Sequence, residues 1–383
     1  MFRATLLSSS MQSCMGSSVD SYRLTLPRQL GELGDAAPQI CIAHLEEALS
    51  FPYRYVEDPL TTSQVGRLSR YAHSLAEDAL KKSGLDGVAR RRTGVFVGSS
   101  SFNVGQEESR MTLESAGVPA IVFETVGQGK FSKSLKRHFD LGGPDYAYST
   151  ACTSSANALL VAHQMMSHGV IDHALVLGLE LFNETTLLGF HNLGLLASKS
   201  LLPFDDRREG MVLGEAGAAI VLSRESQEDC LQLCGGATCT DNQNLTSANV
   251  DGTTIAGALQ AALDNARISE QEILAIKTHG TGSPMSDEAE ARGLRRVFDV
   301  LPPLVALKPA IGHTLGASGA AEFALWSHCL DDGLLPANTG IALGDTQSGI
   351  NLNQQSQVIG GGFHLLNYFA FGGNNTVLVT YRQ

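Results

Sequence analysis

The sequence predicts an α/β fold built from two similar halves. Short apolar runs typical of buried strands alternate with stretches of helical periodicity, which indicates helices layered on a sheet. In each half a strand-like run ends at a reactive side chain, Cys152 in the first and His279 in the second, which suggests a duplicated unit. With 383 residues, of which 43% are hydrophobic, the chain can bury the core that such a fold needs. We expect the halves to span residues 1–222 and 223–383.

In the first half, residues 1–60 show little pattern besides a short strand at 23–26. The elements predicted further along are helices at 63–85, 131–139 and 153–168 and strands at 93–98, 145–149, 174–179 and 216–222. Gly84 and Gly169 lie where two of these helices are expected to end, because glycine readily adopts the left-handed conformation that closes helices.

The second half repeats the alternation of helices and strands. Its predicted elements are helices at 253–266, 287–301 and 316–331 and strands at 273–278, 304–307, 365–370 and 376–381. Ser269 and Glu272 have the spacing of a capping box. The Gly-Gly-Asn-Asn sequence at 372–375 is typical of a turn and separates the last two strands.

Composition and charge argue against several classes of protein. The formal net charge of −12 is unlike that of a general nucleic-acid binder, which needs a basic surface. No run approaches the roughly 20 consecutive apolar residues that cross a membrane, and residues 1–8 have too short an apolar core for a secretory signal. The seven cysteines include no Cys-x-x-Cys pair and have no paired histidines, so we expect a reduced, cytoplasmic protein without a metal site.

Cys152 lies where a predicted strand runs directly into a helix of small and apolar residues. The first-turn amides and the helix dipole would stabilise a thiolate at such a junction, which predicts a reactive cysteine. The alternative is a structural cysteine, since free cysteine is among the most buried residue types. For Cys152 taken alone, the structural interpretation is the commoner one.

Two histidines, His279 and His313, follow strands of the second half and lie beside glycines. Ligands of α/β folds bind at the carboxyl ends of strands, so Cys152 and both histidines could converge there. Cysteine is a suitable nucleophile for thioesters, and two neutral imidazoles could donate hydrogen bonds to a thioester oxygen as negative charge develops. Each histidine alone is more often structural, but the combination favours catalysis.

Together these motifs resemble the β-ketoacyl synthases, the Cys-His-His branch of the thiolase superfamily. The matching stretches are 150–155 (TACTSS), 203–215 (PFDDRREGMVLGE), 278–284 (THGTGSP) with Asp287 and Glu290, 308–319 (KPAIGHTLGASG) and 369–375 (FAFGGNN). They occur in the family's order, and the resemblance runs from about residue 63 to the end of the chain. It implies a thiolase-like αβαβα layered fold built from two duplicated halves.

The resemblance also implies a reaction and assigns its residues. An acyl group would pass from an acyl carrier protein to Cys152, and His279 and His313 would assist decarboxylation of a malonyl thioester. The enolate would then attack the acyl-cysteine to give a 3-oxoacyl product. No metal or organic cofactor is implied.

Further roles follow from the same resemblance. The backbone amides of Cys152 and Phe371 would form the oxyanion hole, with Phe371 as a gate to the acyl pocket. Lys308 and Glu290 would form a supporting charged pair. The residues also allow simpler roles, in which Glu290 caps a helix with Asp287 and Lys308 extends towards solvent.

The chain departs from the family's pattern at several positions. Residues 4–18 lack the usual opening strand and turn, Ala370 replaces glycine before Phe371, and Asn374 replaces threonine. These departures favour a specialised polyketide or polyene pathway over housekeeping fatty-acid synthesis. They also leave two other functions open: a non-catalytic chain-length factor paired with an active paralogue, and a thioester-decarboxylating protein that does not condense.

A few residues distinguish this chain from other enzymes that act on thioesters and esters. A degradative thiolase would carry a second cysteine where this chain has Phe371, and initiating synthases carry asparagine at the position of His313. A serine hydrolase would need Gly-x-Ser-x-Gly, which is absent from the sequence.

An acidic carrier protein needs a local positive surface on this acidic chain. The docking residues that we predict are Lys130, Lys133, Lys136 and Arg137, with Arg67 and Arg70. The alternative interpretation of the four cations at 130–137 is a solvated helix face. Since the family is dimeric, we expect a homodimer or a heterodimer with a ketosynthase-like paralogue.

Overall fold

The computed structural model describes residues 1–17, 37–44, 47–59, 66–115, 127–242, 249–338, 341 and 349–383. The strands of this part of the chain are β1 (Ala4–Ser13), β2 (Gln39–His44), β3 (Glu47–Arg54), β4 (Thr93–Gly98), β5 (Asp145–Tyr148), β6 (His173–Glu180), β7 (Leu213–Gly214), β8 (Ala216–Ser223), β9 (Gln232–Thr240), β10 (Ile273–Lys277), β11 (Leu304–Val305), β12 (Leu334–Leu335), β13 (Gln357–Val358), β14 (Gly362–Phe369) and β15 (Asn374–Arg382).

In the same described part of the chain, α-helices connect these strands. They are α1 (Arg67–Ser83), α2 (Gly87–Arg90), α3 (Val104–Ser115), α4 (Gln128–His138), α5 (Ser154–Ser167), α6 (Glu184–Asn192), α7 (Thr253–Ala266), α8 (Pro284–Val297), α9 (Lys308–Ile311) and α10 (Ser318–Asp331). Gly84 and Gly169 follow α1 and α5 with φ of 68° and 73°, as their helix-closing role predicts. The capping box of Ser269 and Glu272 is confirmed and starts a short 3₁₀ turn before β10.

The main sheet has ten strands in the order β11-β10-β14-β15-β9-β1-β8-β6-β4-β5. Counted outward from its centre, each half makes two antiparallel pairings and then two parallel ones: β9-β15-β14-β10-β11 on one side and β1-β8-β6-β4-β5 on the other. The halves meet where β1 pairs with β9. This repeated order confirms an α/β fold of two duplicated halves, while the division at residues 222 and 223 stays a prediction.

Three hydrophobic clusters arrange the helices in layers. The central cluster joins α5 and α10, which lie so close together that a Cβ on Gly319 would overlap the backbone of Ala156. The second cluster packs α1 and α4 on the outer face of β4, β6 and β8. The third packs α7 and α8 on β10, β14 and β15. The result is the predicted αβαβα layering, with Cys152 and the two histidines near the central helices.

The sequence-based prediction missed β1. Its sequence, ATLLSSSMQS, lacks the apolar alternation of a strand, yet it occupies the centre of the sheet between β8 and β9. The helix predicted at 287–301 begins instead at Pro284, because proline suits the first turn of a helix, and it ends at Val297. The strand predicted at 23–26 lies outside the described residues.

Two further observations bear on the protein's surroundings. All seven cysteines are described, and each is a free thiol. Among the described residues, no helix is both long and apolar enough to cross a bilayer.

Candidate active site

Cys152 lies in a 3₁₀ turn, Ala151–Thr153, that joins β5 to α5. Ala151 has a left-handed φ of 51°, so the chain turns sharply immediately before the cysteine. The Cys152 side chain is 3% exposed and belongs to an apolar cluster with Phe182, Leu187 and Leu315. The predicted strand-to-helix junction is therefore present, with the thiol in an apolar environment.

Burial opposes the expected stabilisation of a Cys152 thiolate. Burial raises the pKa of its thiol to about 12. The charge of Lys308 and hydrogen bonds from the backbone amides of Phe371 and Cys152 lower this pKa but do not offset the burial. A raised pKa favours a neutral thiol at rest, and the two amides predicted as an oxyanion hole both lower the pKa of this thiol.

His279 and His313 share a cavity with Cys152. The cavity has a volume of about 60 Å³, and Phe369 and Phe371 also line it. The two imidazole rings lie edge to face, with centroids 5.4 Å apart. The structure thus brings together the three residues that the sequence picked out as a catalytic set.

The surroundings of His279 determine which ring nitrogen carries its proton. Its Nδ1 lies 3.3 Å from the Nζ of Lys308, an ammonium group that can only donate. Nδ1 therefore accepts, and the proton of the neutral ring lies on Nε2. Burial and the charge of Lys308 lower the pKa of His279 well below its usual value, so the ring stays neutral.

His313 has the same tautomer for a different reason. Its Nδ1 lies 3.3 Å from the backbone N–H of Leu315 and 3.3 Å from the hydroxyl of Ser318. A backbone N–H only donates, so Nδ1 accepts here as well. Burial lowers the pKa of His313 too. Both rings are neutral and carry an Nε2–H, the donor needed to hold a developing oxyanion.

The predicted charged pair between Lys308 and Glu290 is wrong. The Nζ of Lys308 instead donates to Oε1 of Glu322 on α10, at 2.7 Å. Glu322 also receives a hydrogen bond on Oε2 from Lys277, at 2.5 Å. Lys308 is buried, so the alternative prediction that its side chain extends to solvent is also wrong.

Glu290 supports the His279 loop directly rather than through Lys308. Its carboxylate accepts hydrogen bonds from the backbone N–H groups of His279 and Gly280, at 2.8 and 2.9 Å. Asp287 does the same for Thr281 and Gly282. Because α8 starts at Pro284, neither carboxylate is the N-cap of this helix. They hold the loop that carries the histidine.

Phe371 lies on the turn between β14 and β15, half-buried, with its ring 5.5 Å from that of Phe190. Asn374 links this turn to the segment that follows Cys152, because its Oδ1 accepts from Thr153 Oγ1 at 2.6 Å and from Asn157 Nδ2 at 2.8 Å. The backbone at Ala370 does not adopt a left-handed φ that would favour glycine, since the left-handed residues of the turn are Gly372 and Gly373. The alanine is therefore compatible with the turn.

Three buried residues of this region escaped the sequence analysis. Glu322 and Lys277 complete the charge cluster, and Glu180 accepts hydrogen bonds from the backbone amides of Ser100, Ser101 and Gly316. Glu322 had a signal in the sequence, since it is the one charged residue within the apolar run 320–326 of α10. A charge at such a position is expected to be paired.

The predicted docking surface is partly wrong. Arg67 is fully buried and forms a bidentate ion pair with Glu215, with N–O distances of 2.6 and 2.8 Å, so it cannot meet a partner. Lys130, Lys133 and Arg137 are exposed on α4, whereas Lys136 is half-buried and lies 3.5 Å from Asp145.

Arg70, the remaining predicted docking residue, is exposed on α1. This helix packs beside α4, since the rings of His73 and His138 are 4.6 Å apart. The exposed cations of α1 and α4 therefore belong to neighbouring helices.

Comparison with known families identifies the chain. Residues 35–228 match the N-terminal domain of the β-ketoacyl synthases, and residues 232–342 match their C-terminal domain. Together with the thiolase-like layers and the Cys-His-His cavity, these matches establish the class. The chain belongs to the β-ketoacyl synthase family.

Individual relatives support the same assignment. The chain is 31% identical to the polyketide synthase ThaG of Burkholderia thailandensis over 285 residues, which are 70% of this chain and 5% of that protein. It is 28% identical to 3-oxoacyl-[acyl-carrier-protein] synthase 2 of Vibrio harveyi over 263 residues, covering 62% of each chain. The match thus spans less than two thirds of either relative.

A solved structure matches the whole chain. It is the ketosynthase (ApeO) in complex with its chain length factor (ApeC) from Xenorhabdus doucetiae. One chain of this complex superposes with a TM-score of 0.85 and 27% identity, covering 100% of this chain and 98% of its own.

Proposed function

We propose that the protein catalyses decarboxylative condensation of an acyl chain on Cys152 with a malonyl group on an acyl carrier protein. One observation carries the proposal: Cys152, His279 and His313 line a single cavity, with two Nε2–H imidazoles beside a thiol. The relatives named above, a polyketide synthase and a 3-oxoacyl synthase, belong to such pathways. Decarboxylation drives the reaction, so the chain's own residues suffice for it.

The first step is a thiol exchange. The sulfur of Cys152 attacks the carbonyl carbon of the acyl thioester, and the backbone amides of Cys152 and Phe371 bind the oxyanion. Cys152 releases its proton to solvent as its sulfur attacks, and when the tetrahedral species collapses the carrier's C–S bond breaks and the leaving sulfur takes a proton from solvent. The products are acyl-Cys152 and a free carrier thiol.

Decarboxylation is the step assigned to the histidines. As the malonyl thioester loses CO₂, the electron pair of the breaking C–C bond moves into the thioester and places negative charge on its oxygen. The Nε2–H groups of His279 and His313 bind that oxygen. Because both rings are neutral, they stabilise the enolate without protonating its carbon.

Condensation completes the cycle. The enolate carbon attacks the carbonyl of acyl-Cys152 and forms the new C–C bond, and the oxyanion is again held by the Cys152 and Phe371 amides. Collapse breaks the C–S bond to Cys152, and the released sulfur takes a proton from solvent. The product is a 3-oxoacyl group on the carrier protein, extended by two carbons.

The test is intact mass spectrometry of the purified protein after incubation with an acyl-loaded carrier. We expect one acyl mass on the wild type and none on Cys152→Ala. Cys41→Ala removes an exposed thiol instead and should keep the adduct, which provides the control. An unmodified wild type, with the carrier verified as loaded, would contradict the proposal.

The second candidate is a chain-length factor, a partner subunit that shapes the pocket of an active paralogue. The similarity to a ketosynthase and chain length factor complex keeps this function open, because it also supports a heterodimer. The intact Cys-His-His set favours the enzyme. Co-purification with a second ketosynthase, combined with no acyl adduct on this chain alone, would favour the partner role.

Carrier docking is proposed on the α4 surface, defined as Lys130, Lys133 and Arg137 with Arg70 of α1. These side chains are exposed on adjacent helices, so together they offer positive charge to an acidic carrier. Lys136 contributes less because Asp145 lies beside it. The pathway that we propose is specialised polyketide or polyene synthesis, carried out in the cytoplasm.

A further inference from the structure

Lys277 is a buried cation without a role in the proposed reaction. It ends β10, two residues before His279, and its side chain is 0% exposed. Its Nζ donates to Oε2 of Glu322 at 2.5 Å and to the backbone carbonyl of Asn367 at 2.6 Å. The same Nζ lies 3.6 Å from the ring centroid of Tyr368, a cation–π contact. A fully buried charge needs such compensation, and here three groups provide it.

The carboxylate of Glu322 is divided between two lysines. Lys277 holds Oε2 and Lys308 holds Oε1, and the Nζ of Lys308 also faces Nδ1 of His279. This gives an unbroken chain of contacts from Lys277 through Glu322 and Lys308 to the imidazole. Lys277 holds Oε2, and Lys308 bonds only Oε1 of Glu322, in a position where its Nζ stays 3.3 Å from Nδ1 of His279.

We propose that Lys277 is a positioning residue for the condensation reaction, which it serves by dividing Glu322 and so holding Lys308 against Nδ1 of His279. It thereby keeps the His279 proton on Nε2, the atom that faces the enolate in the proposed function on which this inference rests. Lys277 touches no reacting atom and acts only through Glu322 and Lys308.

The charge of Lys277 acts in the same direction as its geometry. It lowers the pKa of both His279 and His313, which favours neutral rings. Burial lowers the pKa of Lys277 itself to about 7, while Glu322 and Glu290 raise it. The charge of Lys308 lowers this pKa as well, so the carboxylates and the cation–π contact with Tyr368 favour the protonated lysine against both effects.

The test compares Lys277→Met with the wild type. Methionine has a similar length and no charge to bury, and Glu322 would still be neutralised by Lys308, so the variant should fold. Freed from Lys277, both oxygens of Glu322 become available to Lys308, which moves away from His279. We expect the proton of His279 to shift towards Nδ1, measured by ¹⁵N NMR of histidine-labelled protein and assigned with a His279→Asn variant.

Partial reactions provide a second readout. Malonyl decarboxylation should fall by about tenfold, the scale of one charge-assisted hydrogen bond, while acyl transfer to Cys152 stays unchanged. Tyr368→Phe is the matched control: it keeps the ring beneath Nζ and removes only a hydroxyl that donates to Gly319 O. It should leave the histidine spectrum unchanged.

Three results would overturn the inference. One is an Nδ1–H tautomer of His279 in the wild type, and another is an unaltered His279 spectrum in Lys277→Met. The third is unfolding of both Lys277→Met and Lys277→Gln, which would make the residue's role structural. The spectra need no catalysis, so a wild type that takes up no acyl group would contradict the proposed function and leave this test intact.

Discussion

The Nζ of Lys308 lies 3.3 Å from the Nδ1 of His279. The lysine is fixed from the other side by Glu322, so the contact does not depend on a flexible surface side chain. An ammonium at Nδ1 leaves Nε2 as the only ring position for the proton. One salt bridge thus determines which hydrogen-bond donor His279 presents to the cavity.

Replacing Lys308 by methionine should impair decarboxylation most. His279 loses the donor that fixes its tautomer, so we expect release of CO₂ from malonyl carrier to fall by about 100-fold, the scale of one lost oxyanion donor. Acyl transfer should fall by a smaller factor, since Lys308 also lowers the pKa of Cys152. The control is Lys199→Met at an exposed lysine. Unchanged CO₂ release from the Lys308 variant would refute the assignment.

The pKa of Cys152 predicts how its alkylation depends on pH. Burial raises this pKa to about 12, so the thiolate fraction should grow about tenfold for each pH unit up to that value. Iodoacetamide labelling, followed by intact mass between pH 7 and pH 10, should accelerate throughout without a plateau. Cys152→Ala identifies the signal from this site. A plateau at neutral pH would instead indicate a stabilised thiolate.

Alanine substitutions at the two neighbouring glycines of the turn between β14 and β15 should have different effects on stability and activity. Gly372 and Gly373 both have left-handed φ, of 83° and 80°, so each substitution adds roughly 1–2 kcal/mol of backbone strain. A Cβ on Gly373 would also overlap the carbonyl oxygen of Asp241, whereas one on Gly372 meets nothing. Gly373→Ala should therefore lower both the free energy of unfolding and the acylation rate more than Gly372→Ala. Equal effects in urea denaturation and in acylation would count against this explanation.

Charge reversal separates the docking surface from the buried arginine. The double variant Lys133→Glu/Arg137→Glu should raise KM for the carrier with little change in kcat, because it weakens the electrostatic attraction between the carrier and the α4 surface. Arg67→Met should leave this KM unchanged and lower the free energy of unfolding by about 3–5 kcal/mol, since it strands the buried Glu215. Steady-state kinetics and urea denaturation measure both. A normal carrier KM in the double variant would remove α4 as the docking site.

Strong periodicity in the sequence was enough to locate much of the fold. The strand predicted at 93–98 and the helix predicted at 253–266 have the bounds found in the structure. β1 could not be found in this way, because its serines are accommodated by neighbours distant in sequence, as when Ser8 Oγ donates to Ala79 O. Local pattern carries no information about such partners.

The candidate site was predictable to a similar degree. Spacing and motif order placed Cys152, His279 and His313 in one set, and the structure brings them into one cavity. The partner of Lys308 was not predictable, because choosing between Glu290 and Glu322 depends on how α8 and α10 pack. The high pKa of Cys152 likewise follows from burial, which sequence alone does not measure.

The position of β1 has a consequence for how the protein is made. Thr5 pairs with Ser223 and with Gln232, so β1 meets its neighbours in the sheet only after the long segment between residues 13 and 216 has been synthesised. Until then its backbone donors and acceptors have no sheet to join, and contacts of such long sequence separation form slowly. On the ribosome, the two halves therefore cannot be joined through β1 until β8 and β9 have emerged.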